Sequence, residues 1–196
     1  MRSGTTHIER RAFTLVEILI VVALLGIAGA LVVPAMGQVG VLRIRSAVRS
    51  LVADITYAQS DAMSSQNRRV IIFGLVGQRD PGTGVWTFVP GNGYTIYSPA
   101  PGSAVLDPNN DWLPDPENGV HPYTRDFDVE AFGGAQIINV DINAGDWLIF
   151  DELGGPVQFL TGNTPGTGGR LDIANIDTTF RLIIEPYTGR VTVTRL

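Results

Sequence analysis

From Ile18 to Val33 the chain runs for sixteen residues without one polar side chain, and the run reaches back to Phe13 with only Thr14 and Glu17 interrupting it. As a helix, the 21 residues from Phe13 to Val33 would extend about 31 Å, close to the roughly 30 Å hydrocarbon thickness of a bilayer. Arg2, Arg10 and Arg11 stand ahead of it against Glu9, so the first twelve residues carry +2 and the rest carry −7 of the net −5. Basic residues before a span and an acidic remainder after it predict the N-terminus in the cytoplasm and the rest outside. A buried core helix is the other use of such a run; its place near the terminus, behind arginines, argues against that. Glu17 is the odd residue. A carboxylate deep in hydrocarbon costs about 2.5–3.5 kcal/mol on insertion scales, so it points to a specific partner.

The string Arg10-Arg11-Ala12-Phe13-Thr14-Leu15-Val16-Glu17 resembles the class III signal of type IV pilins and type II secretion pseudopilins. The resemblance implies that a prepilin peptidase cuts between Ala12 and Phe13 on the cytoplasmic side and methylates the new amino group of Phe13. It also implies assembly roles for Glu17, fifth from that start, and for Pro34, twenty-second. Ala12 stands where the family usually has glycine. The implied partners are the prepilin peptidase, other pilins or pseudopilins, an inner-membrane assembly platform and membrane lipid, with no cofactor. The implied place is the bacterial inner membrane, crossed once, with the C-terminal domain periplasmic and associated with a filament. Two rival export signals use the same residues. Arg10-Arg11-Ala12-Phe13 looks like the start of a twin-arginine signal, and Ala28-Gly29-Ala30 like a signal-peptidase site. Either would discard Glu17 with the signal and release a soluble exported β-domain.

Past Pro34 the pattern turns amphipathic. Val41, Ile44, Val48, Leu51, Ile55, Ala58 and Ala62 follow alternating steps of three and four, with Arg43, Arg45, Arg49, Asp54 and Asp61 off that stripe. This predicts a helix with one buried face, ending near Ser64 to Asn67 and continuous with the apolar run through a kink at Pro34. From Arg68 onward, β-branched and aromatic runs alternate with Gly, Pro, Asn and Asp clusters. They predict strands near Arg69–Leu75, Val85–Val89, Tyr94–Tyr97, Gln136–Ile142, Trp147–Phe150, Val157–Leu160, Phe180–Glu185 and Arg190–Thr194. Pro90-Gly91-Asn92-Gly93 is expected to turn the second into the third, and Pro186-Tyr187-Thr188-Gly189 to join the last two. The expected fold is α+β: a long N-terminal helix packed on an antiparallel β-sheet domain, as in pilins. The expected organisation is a leader over 1–12, a transmembrane and assembly helix over 13–34, an amphipathic helix over 35–67, and a periplasmic β-domain over 68–196. The layout beyond the signal resembles the GspH/FimT branch of minor pseudopilins. The carriers are the Ala-rich helix end at 58–67, the strand Arg69-Val70-Ile71-Ile72-Phe73 that follows it, Phe150-Asp151-Glu152-Leu153-Gly154-Gly155, and Pro186-Tyr187-Thr188-Gly189-Arg190-Val191.

An insertion at 98–128 fits no element of that branch and holds six of the twelve prolines. Within it, Asp107, Asn109 and Asp111 fall at the first, third and fifth positions of a calcium loop. Trp112 stands where such a loop needs glycine, however, and Asn118 where it needs glutamate. The alternatives are an exposed loop of turn-formers and a partner-binding surface carrying Trp112 and Tyr123.

With no cysteine and two histidines, disulfide frameworks, thiolate metal sites and His-rich centres are excluded. No G-x-S-x-G, H-E-x-x-H or P-loop occurs, and no carboxylate spacing selects an acid–base pair, so no catalytic residue is assigned. DNA is a possible partner through Arg181, Arg190 and Arg195 in the last two strands, an idea the acidic balance of the chain opposes.

Overall fold

The computed structural model describes residues 14–132 and 134–196, with backbone alone for residues 30–41 and 130. The element order is a helix α1 (Leu15–Ser65) followed by nine strands, with one 3-10 turn at Glu130–Phe132. The chain divides into two compact units, one ending at Val39 and the other covering Gly40–Leu196.

In the first unit Thr14 starts the helix. Its hydroxyl accepts the Glu17 N–H (3.2 Å) and its carbonyl the Ile18 N–H (3.2 Å). Every described side chain from Leu15 to Gly29 is exposed. Among the described residues no helix is long and apolar enough to cross a membrane; the rest of the apolar run, 30–33, is helical backbone without described side chains.

The second unit is built on the C-terminal half of α1. Its stripe of Ile44, Ala47, Val48, Leu51, Ile55, Ala58 and Ala62 is buried, as the three-four spacing requires. Two antiparallel sheets receive it. Sheet I has the order β3 (Thr124–Asp126), β2 (Trp86–Tyr97), β1 (Arg69–Arg79), β5 (Trp147–Phe150), β6 (Pro156–Val157). Sheet II has the order β4 (Gln136–Ile142), β7 (Gly169–Ala174), β8 (Thr179–Ile184), β9 (Val191–Arg195). Ile71, Phe73, Tyr94, Ile96, Leu148 and Phe150 of sheet I and Leu171, Ile173, Leu182 and Ile184 of sheet II meet the helix in one core. The other face of sheet I is also covered: Val70, Ile72, Tyr97, Ile149 and Val157 form a second cluster with Leu106 and Trp112. Burial on both faces explains why Val70-Ile71-Ile72-Phe73 and Leu148-Ile149-Phe150 read as continuous apolar runs rather than alternating ones.

Several expectations are corrected. Pro90-Gly91-Asn92-Gly93 is not a turn, because β2 continues through it. The register with β1 passes from Phe73↔Tyr94 to Leu75↔Pro90, so the three residues 91–93 bulge opposite Gly74. Gly93 belongs there because a Cβ would collide with the Arg125 carbonyl of β3 and with Val76. The turn lies instead at 80–85, where the Asp80 carboxylate accepts the N–H groups of Gly82 (2.8 Å) and Thr83 (2.6 Å). β3 and β7 were not expected, and β6 stops at Val157 rather than Leu160. The insertion is no exposed appendage. Leu113, Tyr123 and Phe127 enter the main core, Leu106 and Trp112 cover sheet I, and the segment returns as β3.

At the C-terminal end of α1, the Gln59 side-chain amide donates to the carbonyls of Gly154 (2.7 Å) and Thr188 (2.8 Å). Gly189, beside the second, has φ +67, and a Cβ there would lie 2.7 Å from the Phe150 ring and 3.1 Å from Gln59.

Candidate functional site

Ala12 and Phe13, the expected cleavage pair, lie outside the described residues. Glu17 occupies the first turn of α1, where a carboxylate complements the partial positive charge of unpaired N–H groups. With Thr14 as the cap accepting its N–H, Thr14-Leu15-Val16-Glu17 forms the hydroxyl half of a capping box. The T-x-x-E spacing was open to view in the sequence. Pro34 lies inside the helical backbone of α1.

The calcium-loop candidates are used by the turn that contains them. The Asp107 carboxylate accepts the Asn109 N–H (3.0 Å) and the Asn110 side-chain amide (2.7 Å), and the Asp111 carboxylate accepts the Asp107 N–H (2.8 Å). The Asn110 bond is the main reason the Asp107 pKa is lowered. Asn109 gives its carbonyl to the Trp112 indole (3.1 Å). Among the described residues no three His, Cys, Asp or Glu side chains come together as metal ligands.

The arginines of the last strands do not form a free patch. Arg181 makes two bonds to the buried Asp172 (2.8 and 2.9 Å), which lower the Asp172 pKa, and Arg190 lies 3.5 Å from Glu185. Arg195 is exposed on β9.

The most concentrated chemistry in the second unit surrounds Asp54, expected off the buried stripe and found 6% exposed. Its carboxylate accepts the hydroxyls of Tyr94 (2.7 Å, from β2) and Tyr123 (2.9 Å, from the insertion), with Arg125 Nε at 3.3 Å. Arg125 also donates to Asp115 (2.9 Å) and lies 4.6 Å over the Tyr123 ring, which stacks on Tyr57 of α1 at 5.4 Å. Burial first, and Asp54 second, push the Tyr94 hydroxyl well above its ordinary pKa. Burial opposes the Arg125 charge, but Asp115 and Asp54 outweigh it and hold the pKa up. Asp54, Tyr94, Tyr123, Arg125 and Asp115 are all partnered within the cluster, which fastens helix, sheet and insertion together. Asp54 was placed off the apolar stripe, yet it sits three residues after Leu51 and four before Ala58, spacings that share one helix face. Asp61, the other carboxylate placed off the stripe, is ion-paired with Arg69.

Comparison with known proteins bears on the N-terminus. Residues 9–33 match the prokaryotic N-terminal methylation motif. No curated protein sequence matches the chain. The crystal structure of the type IV minor pilin FimU of Pseudomonas aeruginosa is similar at 20% identity, over 77% of this chain and 87% of that one, with a TM-score of 0.45. That likeness is too remote to transfer any residue's role. The matched motif takes in Arg10, Arg11, Glu17 and the apolar run to Val33. Through residues 9–33 the chain is similar to proteins that carry the prokaryotic N-terminal methylation motif, the prepilin-type signal.

Proposed function

We propose that the chain is a minor pilin or pseudopilin of the GspH/FimT type, a structural subunit rather than a catalyst. The leader directs insertion of residues 13–34 into the bacterial inner membrane with the N-terminus in the cytoplasm. Prepilin peptidase cuts between Ala12 and Phe13 and methylates Phe13. The new ammonium of Phe13 pairs with a Glu17 carboxylate, its own or a neighbour's, and the pairing offsets the cost of holding either charge in hydrocarbon. Apolar packing of residues 15–33 between neighbouring subunits supplies lateral energy through many weak contacts. Pro34 marks the end of that segment, and the second unit stands outside the membrane. The observation that carries the reading is the exposed run from Leu15 to Gly29: fifteen residues, apolar except for Glu17, inside a methylation motif. A patch of that size needs lipid or other helices to cover it.

The test is the N-terminal sequence and intact mass of the protein taken from its native membrane. A start at N-methylated Phe13 is expected. A start near Leu31 would mean a conventional signal peptide and a secreted domain, and would end the assembly mechanism.

A further inference from the structure

A sheet edge with free N–H and C=O groups is a template for another chain, and native proteins blunt it. Three of the four edges here are blunted. β3 is three residues long, β6 is two residues beginning with Pro156, and β4 is broken between Ile138 and Asp141 with Asn139 at φ 52. The fourth, β9, keeps unbroken antiparallel register with β8 from Ile184↔Val191 to Phe180↔Arg195, and it contains no Pro, Gly or bulge. The Glu185 N–H reaches the Arg190 carbonyl (3.0 Å) and the Leu196 N–H the Thr179 carbonyl (2.9 Å). That phase turns the amide groups of Thr192 and Thr194 toward β8 and those of Val191, Val193 and Arg195 outward. Among the described residues β9 pairs with β8 alone, and from Thr192 onward it is exposed.

A groove of about 530 Å³ runs between α1 and this edge, lined by Val48, Val52, Phe180 and Val193 and rimmed by the exposed Arg45 and Arg49. No acidic side chain lines it. A further strand hydrogen-bonded to β9 would lie one spacing out, about 4.8 Å, with alternate side chains directed into the groove.

We infer that β9 and this groove receive an extended segment of a different protein, whose inward side chains are apolar at the centre and acidic beside the arginines. Main-chain bonds to Val191, Val193 and Arg195 give the attachment, and the groove reads the side chains. A second copy offering its own β9 brings Arg45, Arg49 and Arg195 against the same three residues, so like charges oppose self-pairing. The inference uses only the second unit and is independent of how the N-terminus is processed.

The test uses the full chain in a neutral detergent micelle and a labelled peptide, Thr-Glu-Thr-Val-Thr-Val-Thr-Glu-Thr, with a second peptide carrying Lys for Glu. By fluorescence anisotropy the acidic peptide should bind about tenfold more tightly than the basic one, and Arg45→Glu with Arg49→Glu should invert that order. Both changes are on the exposed face of α1 and leave the core intact. Binding should slow amide exchange at Val193 and Arg195 and leave Thr192 and Thr194 unchanged, and Val193→Pro should abolish it. Indifference to the charge reversal, or binding without protection of β9, overturns the proposal. So does uptake of phosphatidylglycerol in place of peptide, which makes the groove a lipid site, or a dimer with protection at β9, which makes the occupant a second copy.

Discussion

Replacing Asp54 with alanine tests whether one carboxylate holds the second unit together. The substitution removes the acceptor for Tyr94 (2.7 Å) and Tyr123 (2.9 Å) and one of the two carboxylates paired with Arg125, the one 3.3 Å from its Nε. A hydrogen bond to a charged group contributes about 1.5–3 kcal/mol, and a buried hydroxyl left without a partner costs its full desolvation. Tyr94 is fully buried and counts in full, Tyr123 is 4% exposed and counts nearly so, and Arg125 retains Asp115. The expected loss is about 3–5 kcal/mol, a large share of the roughly 5–15 kcal/mol that stabilises a domain. Asp54→Asn keeps the shape and one acceptor oxygen, so about half that loss is expected. Trp86, Trp112 and Trp147, the only tryptophans, all belong to the second unit. Urea unfolding of the full chain in a neutral micelle, followed by tryptophan fluorescence, therefore reports on that unit alone. A loss below about 1 kcal/mol for Asp54→Ala, or an Asn variant no more stable than the Ala variant, would refute the reasoning.

The remaining expectations use the same assay or the assembly reading. Among the described residues the buried Tyr97 hydroxyl has no well-formed hydrogen bond, only a weak interaction with Thr95, so Tyr97→Phe should raise stability by about 1 kcal/mol; a loss would mean the hydroxyl is satisfied by Thr95 or by water. Burial raises the hydroxyl pKa of Tyr94, Tyr97 and Tyr123 above the ordinary 10.0, so above pH 10 the unfolded chain releases protons that the folded chain keeps. Stability is complete below that pH and falls above it, with Tyr94 alone giving a limiting slope of about 1.4 kcal/mol per pH unit. A urea midpoint that stays flat from about pH 9 to about pH 11 contradicts this. Glu17→Ala should insert in the membrane as well as the native chain and enter filaments poorly; normal incorporation in an assembly assay would remove the role given to Glu17.

The helix was legible because burial follows spacing: Ile44 to Ala62 needed only the three-four step, and the end at Ser65 fell within the expected window. β4 and β5 were legible to the residue, each being rich in β-branched or aromatic residues and closed off by turn-formers. The failures have a common cause in partners distant along the chain. Pro90 to Gly93 carries the local chemistry of a turn, yet Gly74 opposite absorbs the extra residues and β3 requires the missing side chain at Gly93. β7 was hidden by Asp172 at its centre, a residue that belongs in a strand only because Arg181 of β8 neutralises it. Asp54 was placed off the buried stripe, since nothing local announces Tyr94, Tyr123 and Arg125. At the N-terminus, by contrast, the motif is local and was readable whole.

Gln59 gives two distant turns a shared fate. Its one amide nitrogen carries both of the hydrogens that reach Gly154 and Thr188, residues 95 and 129 positions further along the chain. A thermal fluctuation that swings the side chain away frees both turns in the same event, so their opening rates are coupled although no strand links them directly. In hydrogen exchange the amides of the two turns should share one opening free energy, making this corner of the unit a single kinetic gate instead of two loops that fray on separate clocks.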